Sequence, residues 1–200
     1  MNPWYDLSPV TADFARTYGE APDPLVQALA AGDTRALTAV YREHHVAVRA
    51  FASRLLGDDA AAEDMVQEAF VALPRAMRHF RGETSLRSFV ISVAINHARH
   101  FVRAAARRRR SLARLGCEPV SSVEPPEADL TRRQLGDALF RALDRLPLDQ
   151  RVAFVLCVVE ERPSEDVARL VNAPSPTVRA RVQAAKRKLR ALLERAGFDD

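Results

Sequence analysis

The chain has 200 residues, 48% of them apolar, with 30 Lys and Arg against 26 Asp and Glu and a net charge of +4. That length suffices for one medium core or two small ones, and the apolar fraction excludes a chain disordered throughout. The two cysteines, Cys117 and Cys157, lie far apart, which excludes a disulfide framework or a CxxC zinc site and favours a reducing, cytoplasmic setting.

In chain order, residues 1–24 hold Trp4, Tyr5 and four prolines, without a basic start followed by an apolar run, and no later segment is apolar for eighteen residues. Neither secretion nor a membrane span is expected, and the segment reads as a disordered extension. A short helix is predicted at about 24–31. Asp33 then caps a helix over 34–56, whose Leu37, Val40, Tyr41, Val48, Phe51, Ala52 and Leu55 recur at helical spacing until Gly57 closes it. A second helix starts near Ala60 with Met65, Val66, Ala69, Phe70 and Leu73 inward. Pro74 predicts a kink or restart there, since it lacks the donor and clashes with the preceding turn. Gly82 breaks the pattern, and Ser85 caps a third helix carrying Phe89, Val90, Val93, Ala94 and Phe101.

Residues 111–130, SLARLGCEPVSSVEPPEADL, have no periodicity and read as a flexible linker. Beyond it, helices are predicted at about 132–146 and 149–160, the second with the buried run VAFVLCVV, then one capped by Ser164. In NAPSP, Ser175 caps and Pro176 opens the last helix. Strand-like alternation is absent. The fold class expected is all-α, two helical domains joined by a flexible linker.

The cations form two runs free of acids: Arg99, Arg103, Arg107, Arg108, Arg109, Arg110 and Arg114, then Arg179, Arg181, Lys186, Arg187, Lys188 and Arg190. A single run of this kind is as easily a solvated face; two, each on a predicted helix, point to a polyanion. The last two helices make a helix-turn-helix. Val178, Val182, Ala185 and Leu189 form its inward stripe, with Arg179, Gln183, Lys186, Arg187 and Arg190 on the opposite side. In such motifs the start of the second helix reads base edges, so Arg179 and Gln183 are candidate base readers and the other cations phosphate contacts.

The stretch LPLDQRVAFVLCVVEERPSEDVARLVNAPSPTVRARVQAAKRKLR resembles, without a gap, the fourth conserved region of extracytoplasmic-function (ECF) sigma factors of the main bacterial, sigma-70 type. AAEDMVQEAFVAL and FRGETSLRSFVISVAINHARHFVR resemble that family's second region and promoter-melting segment, so the resemblance covers roughly residues 25–196. It implies region 2 at 25–110, the linker at 111–131, region 4 at 132–196 and a tail at 197–200. It further implies a cytoplasmic factor that binds core RNA polymerase, on the β′ clamp coiled coil and the β flap, and promoter DNA. Family members are commonly held by an anti-sigma factor, and one is expected as a partner here.

Carried over residue by residue, the resemblance implies polymerase docking by Asp64, Gln67 and Glu68, which the i, i+3, i+4 spacing places on one stripe. It implies minus-ten DNA binding by Phe80, Arg81, Ser85, Phe89, Asn96, Arg99 and Arg103, with the Phe80 to Ser85 loop capturing a flipped base. It implies minus-thirty-five binding by Ser175, Thr177, Arg179, Arg181, Gln183, Lys186 and Arg187. Phe89 stands where the family usually has tryptophan and either stacks or fills the core. Pro74 replaces a residue usually aromatic. Cys157, Ala180 and Ala184 stand where relatives place DNA-contacting side chains, which implies weaker or altered minus-thirty-five recognition. Arg162 and Ser164 replace the common Gly and Tyr.

His97 and His100 share one helix face at i, i+3 but lack a third ligand, so neither metal nor cofactor is expected. No nucleophile, base and orienter arrangement and no Gly-rich phosphate loop is present, so the chain is not read as an enzyme. Two rivals remain. A free-standing helix-turn-helix regulator needs neither the stripe around Gln67 nor the melting segment. A protein-binding helical adaptor fits Ala180 and Ala184 but not the retained cations.

Overall fold

The computed structural model describes residues 24–80, 82, 84–114 and 127–198, and among them there is helix but no strand. The N-terminal module holds α1 (Pro24–Ala30), α2 (Thr34–Leu56), α3 (Asp59–Ala76) and α4 (Leu86–Arg114). Asp33 starts α2 as the sequence predicts: its extended backbone aims Oδ1 at the N–H groups of Arg35 and Ala36, which donate to it at 2.6 and 3.2 Å. Those two donors have no partner inside the helix, so Asp33→Ala is expected to cost about 1 kcal/mol, read as a lower urea midpoint at unchanged slope. At the other end Gly57 takes φ 60°, a left-handed conformation that favours glycine, and its N–H donates to the Ser53 carbonyl.

Asp58 caps α3 by accepting the Ala61 N–H at 3.0 Å. Pro74 does not end this helix. It lies inside it, two residues before Ala76, and the chain then tightens into a 3₁₀ turn at Met77–His79. So close to a helix end, the missing proline donor removes only one of the last intrahelical bonds. Ser85 precedes α4 and its Oγ accepts the Ser88 N–H at 3.3 Å. The apolar faces meet in one core in which Leu29, Val40, Phe51, Leu55, Met65, Leu73 and Ile91 are fully buried.

The C-terminal module holds α5 (Glu127–Leu143), α6 (Leu148–Phe154), α7 (Ser164–Leu170) and α8 (Ser175–Glu194). The single helix predicted over 149–160 stops early, and Val155–Val159 form a π turn in which the Glu160 N–H donates five residues back to the Val155 carbonyl. The predicted caps also shift by one residue. Pro163 and Pro174, extended at ψ 141°, stand at the cap positions of α7 and α8, while Ser164 and Ser175 are already helical. Proline's fixed φ suits that extended cap, so a side-chain cap is not required there.

Helix occupies both ends of the expected linker. Residues 111–114 are the last turn of α4 and α5 begins at Glu127, while residues 115–126 lie outside the described ones. The modules also pack together. Val152, Leu156, Val167 and Val178 join the cluster that contains Phe51, Leu55 and Ile91, and Ala142, Leu143, Leu146, Ala185 and Leu189 form a second cluster between α5 and α8.

Candidate nucleic-acid interface

The turn between α7 and α8 is tight. Asn172 sits at φ 47° and the Ala173 N–H returns to the Ala168 carbonyl at 3.0 Å. Val167, Leu170, Val178 and Val182, all buried, hold the two helices as a helix-turn-helix. The predicted inward stripe of α8 is buried along its length, and Thr177, Arg179, Gln183, Lys186, Arg187 and Arg190 are exposed. Those cations are not equivalent. Arg179 donates to Glu165 Oε1 at 2.9 Å and to Ser175 Oγ at 2.8 Å, and the Ser175 hydroxyl donates to the same carboxylate at 3.0 Å. Arg181 is half-buried and pairs with Asp149 on α6, so it does not join the outward face. Lys188 donates to the Arg145 carbonyl. Lys186, Arg187 and Arg190 have no ion-pair partner among the described residues.

Bonds from its own backbone N–H and the Ser175 hydroxyl, with the Arg179 charge, hold the Glu165 carboxyl below the usual carboxylate range. Glu165 therefore restrains Arg179 as an anion at neutral pH. Glu165→Gln is expected to release Arg179 and to tighten non-specific duplex binding several-fold, measured by anisotropy at fixed salt. Cys157 lies half-buried in the π turn beside this motif. Burial pushes its thiol up, against a hydrogen bond from Ser164 and with the nearby Glu165 adding to the rise. Thiolate is scarce at neutral pH, so iodoacetamide should label Cys157 more slowly than a free thiol does.

In the N-terminal module Asp64, Gln67 and Glu68 are exposed on one face of α3, with Met65, Phe70 and Leu73 buried opposite. The structure extends this stripe by one residue that sequence reasoning missed: Val71 is 79% exposed, one heptad beyond Asp64. The available signal was an apolar residue at an outward position. Glu68 also lies 3.4 Å from His97 Nδ1 on α4, which turns His97 toward the acidic stripe.

Phe80 and Phe89 form a T-shaped pair with centroids 4.9 Å apart, and both pack against the core, which settles the placement of Phe89 as half-buried. From Phe89 one stripe of α4 continues through the exposed Asn96, Arg99 and Arg103. Ser85 is exposed at its start, and Arg81 lies outside the described residues. The arginine run divides. Arg107 and Arg110 are exposed, whereas Arg108 donates to both oxygens of Asp58 at 3.0 Å and Arg109 grips Asp144 of the other module. Two of these four charges are thus paired with acids of the chain itself, Arg108 at the surface and Arg109 largely buried. Of the positions where relatives place DNA-contacting residues, Ala180 is exposed, Ala184 half-buried and Cys157 half-buried. Among the described residues no three His, Cys, Asp or Glu side chains gather as metal ligands.

A basic helix-turn-helix packed on a bundle with its own basic stripe and a separate acidic one defines a two-module helical DNA-binding protein. Family models assign both modules: Sigma-70 region 2 matches residues 40–108 and Sigma-70, region 4, matches residues 136–189. Among curated relatives, the RNA polymerase sigma-H factor of Pseudomonas aeruginosa is 28% identical over 183 residues, covering 88% of this chain and 95% of that protein. The ECF RNA polymerase sigma-E factor of Escherichia coli K12 is 28% identical over 185 residues, covering 86% and 95%. Among solved structures, the sigma factor RpoE in complex with the anti-sigma factor NepR from Bartonella quintana superposes at a TM-score of 0.52 with 25% identity, covering 77% of this chain and 94% of that one. CnrH, in complex with the cytosolic domain of CnrY, shares the fold at a TM-score of 0.57 and 22% identity over 85% and 95%. The chain belongs to the sigma-70 family of RNA polymerase sigma factors, as an alternative sigma factor of the ECF group. A free-standing regulator is not favoured, and no helix among the described residues is long and apolar enough to cross a membrane.

Proposed function

We propose that this chain docks on core RNA polymerase through Asp64, Gln67 and Glu68, with Val71 as an apolar contact, and carries the polymerase to promoters that it reads with both modules. In this reading residues 25–110 serve as region 2 and residues 132–196 as region 4, meeting the β′ coiled coil and the β flap respectively. Phe80, Arg81, Ser85, Phe89 and Asn96 take up an extruded minus-ten base, while Arg99 and Arg103 hold strand phosphates. Gln183, Lys186 and Arg187 face the minus-thirty-five duplex. Arg179, Ser175 and Thr177 sit at the helix start, the first two restrained by Glu165, and Arg181 supports α8 from the side. The observation that carries this reading is the separation of one acidic stripe on α3 from two basic stripes on α4 and α8, because one partner is a protein surface and the other a polyanion.

Chemistry belongs to the polymerase, the chain itself is not an enzyme, and its setting is the cytoplasm. The anti-sigma factor in the Bartonella quintana complex supports a similar inhibitor here. The test is transcription from a genomic DNA library by core RNA polymerase with and without the chain, mapping 5′ ends. Start sites that appear only with the chain and share paired upstream motifs support the reading; the same ends in both reactions overturn it.

A further inference from the structure

The two modules meet at a cluster of charges that neither DNA nor polymerase binding calls for. Arg109, near the end of α4, reaches across to Asp144 at the end of α5 as a fork, with Nε at 3.0 Å from Oδ2 and Nη2 at 2.6 Å from Oδ1. Its third nitrogen, Nη1, donates to the Leu56 carbonyl at 2.6 Å and reaches the Gly57 carbonyl at 3.4 Å, at the negative end of α2. The Phe140 ring lies under the same guanidinium, 5.7 Å from Cζ to centroid. It also rests on Gly57 so closely that a Cβ there would stand 2.4 Å from the ring. A second pair, Arg54 with Glu160 at 3.2 Å, closes the other side, and Glu160 is held from behind by Arg162.

Asp144 has a second suitor. Arg151 on α6, fully buried, donates Nη1 to Asp144 Oδ1 at 2.8 Å, but its Nε and Nη2 are buried without partners. A buried guanidinium with two unmet donors is costly, and a carboxylate offers it a matching fork. The Arg109 fork occupies Oδ2, the oxygen that Arg151 lacks. Burial accordingly lowers the Arg151 pKa, against the pull of Asp144.

We propose that Asp144 is a two-position clasp that keeps the free chain closed: Arg109 holds it when the modules are together, and Arg151 takes both its oxygens when they part. The purpose of opening rests on the promoter reading above. Elements at minus ten and minus thirty-five are separated by about 25 base pairs, roughly 85 Å of duplex at about 3.4 Å per base pair. A packed chain of this length has a radius of gyration of about 17 Å, hence a diameter near about 45 Å, and cannot span them. The closed form is therefore a stored form, and its own unmet donors on Arg151 keep the closure reversible.

The test is small-angle scattering and dye-pair distance measurement on the full chain, wild type against Gly57→Ala, Asp144→Asn and Arg109→Met, with circular dichroism to confirm unchanged helix content. The wild type is expected to be closed at moderate salt, and each variant to gain several ångström in radius of gyration. Gly57→Ala expels Phe140 and strains the left-handed turn at φ 60°, without removing a charge. If a variant loses helix content, the other variants decide. A wild type already extended, or variants as compact as the wild type, overturns the clasp. In Arg109→Met the Arg151 Nη2–H resonances should move downfield and exchange more slowly as they gain Oδ2 beside the existing Nη1–Oδ1 bond; no change there overturns the exchange half. Scattering reads closure without DNA or polymerase, so its failure is distinct from failure of the promoter reading, which shows as an absence of specific start sites.

Discussion

Glu68→Lys is expected to abolish association with core RNA polymerase while leaving duplex binding by α7 and α8 intact. The side chain is half exposed on α3, where it lies 3.4 Å from His97 Nδ1, a surface contact of little energetic worth, so the substitution should leave helix content and unfolding unchanged. What changes is the sign of charge at the centre of the Asp64, Gln67, Glu68 and Val71 stripe. Like charges facing each other across a protein interface cost several kcal/mol, and about 3 to 4 kcal/mol corresponds to a several-hundredfold loss of affinity. An anisotropy titration of the labelled chain with core polymerase measures this. Wild-type affinity in the variant would move the docking surface away from α3.

The second large effect belongs to α8. Lys186, Arg187 and Arg190 are exposed and carry no ion pair among the described residues, so replacing all three with alanine removes charge that no acid in the protein already balances. Each phosphate contact contributes close to one unit to the slope of log affinity against log salt. The triple variant should thus lower that slope by about 3 and weaken duplex binding by about a hundredfold at 0.15 M salt. Alanine is a good helix former and the buried stripe of Val178, Val182, Ala185 and Leu189 is untouched, so α8 should persist. Arg181→Ala makes the contrast: it pairs with Asp149, and its loss should barely move the slope. An unchanged slope in the triple variant would show that DNA does not lie on this face.

The helices were legible in the sequence because their signals are local. Asp33, Gly57 and the apolar spacing of α2 agree with one another, and the observed helix spans the predicted residues. The stripe of α8 was legible for the same reason. The misplaced features depend on context. Ser164 and Ser175 look like caps, but each follows a proline whose fixed φ already supplies the extended cap conformation. The π turn within VLCVV leaves no mark on composition. The reach of α4 to Arg114 and of α5 back to Glu127 was hidden by serines and prolines lying in and around both ends of the expected linker. Least legible were the partners of charges. Arg109 and Arg110 are identical neighbours in sequence, yet one grips Asp144 across the module boundary and the other is exposed, a distinction created only by tertiary packing.

The most direct test of the central claim is gel filtration of the purified full chain with bacterial core RNA polymerase at moderate salt. An alternative sigma factor comigrates with the polymerase in a one-to-one complex that Glu68→Lys disrupts. A chain that elutes alone from an active core, yet still binds duplex DNA, would contradict the account and return the protein to the free-standing regulators.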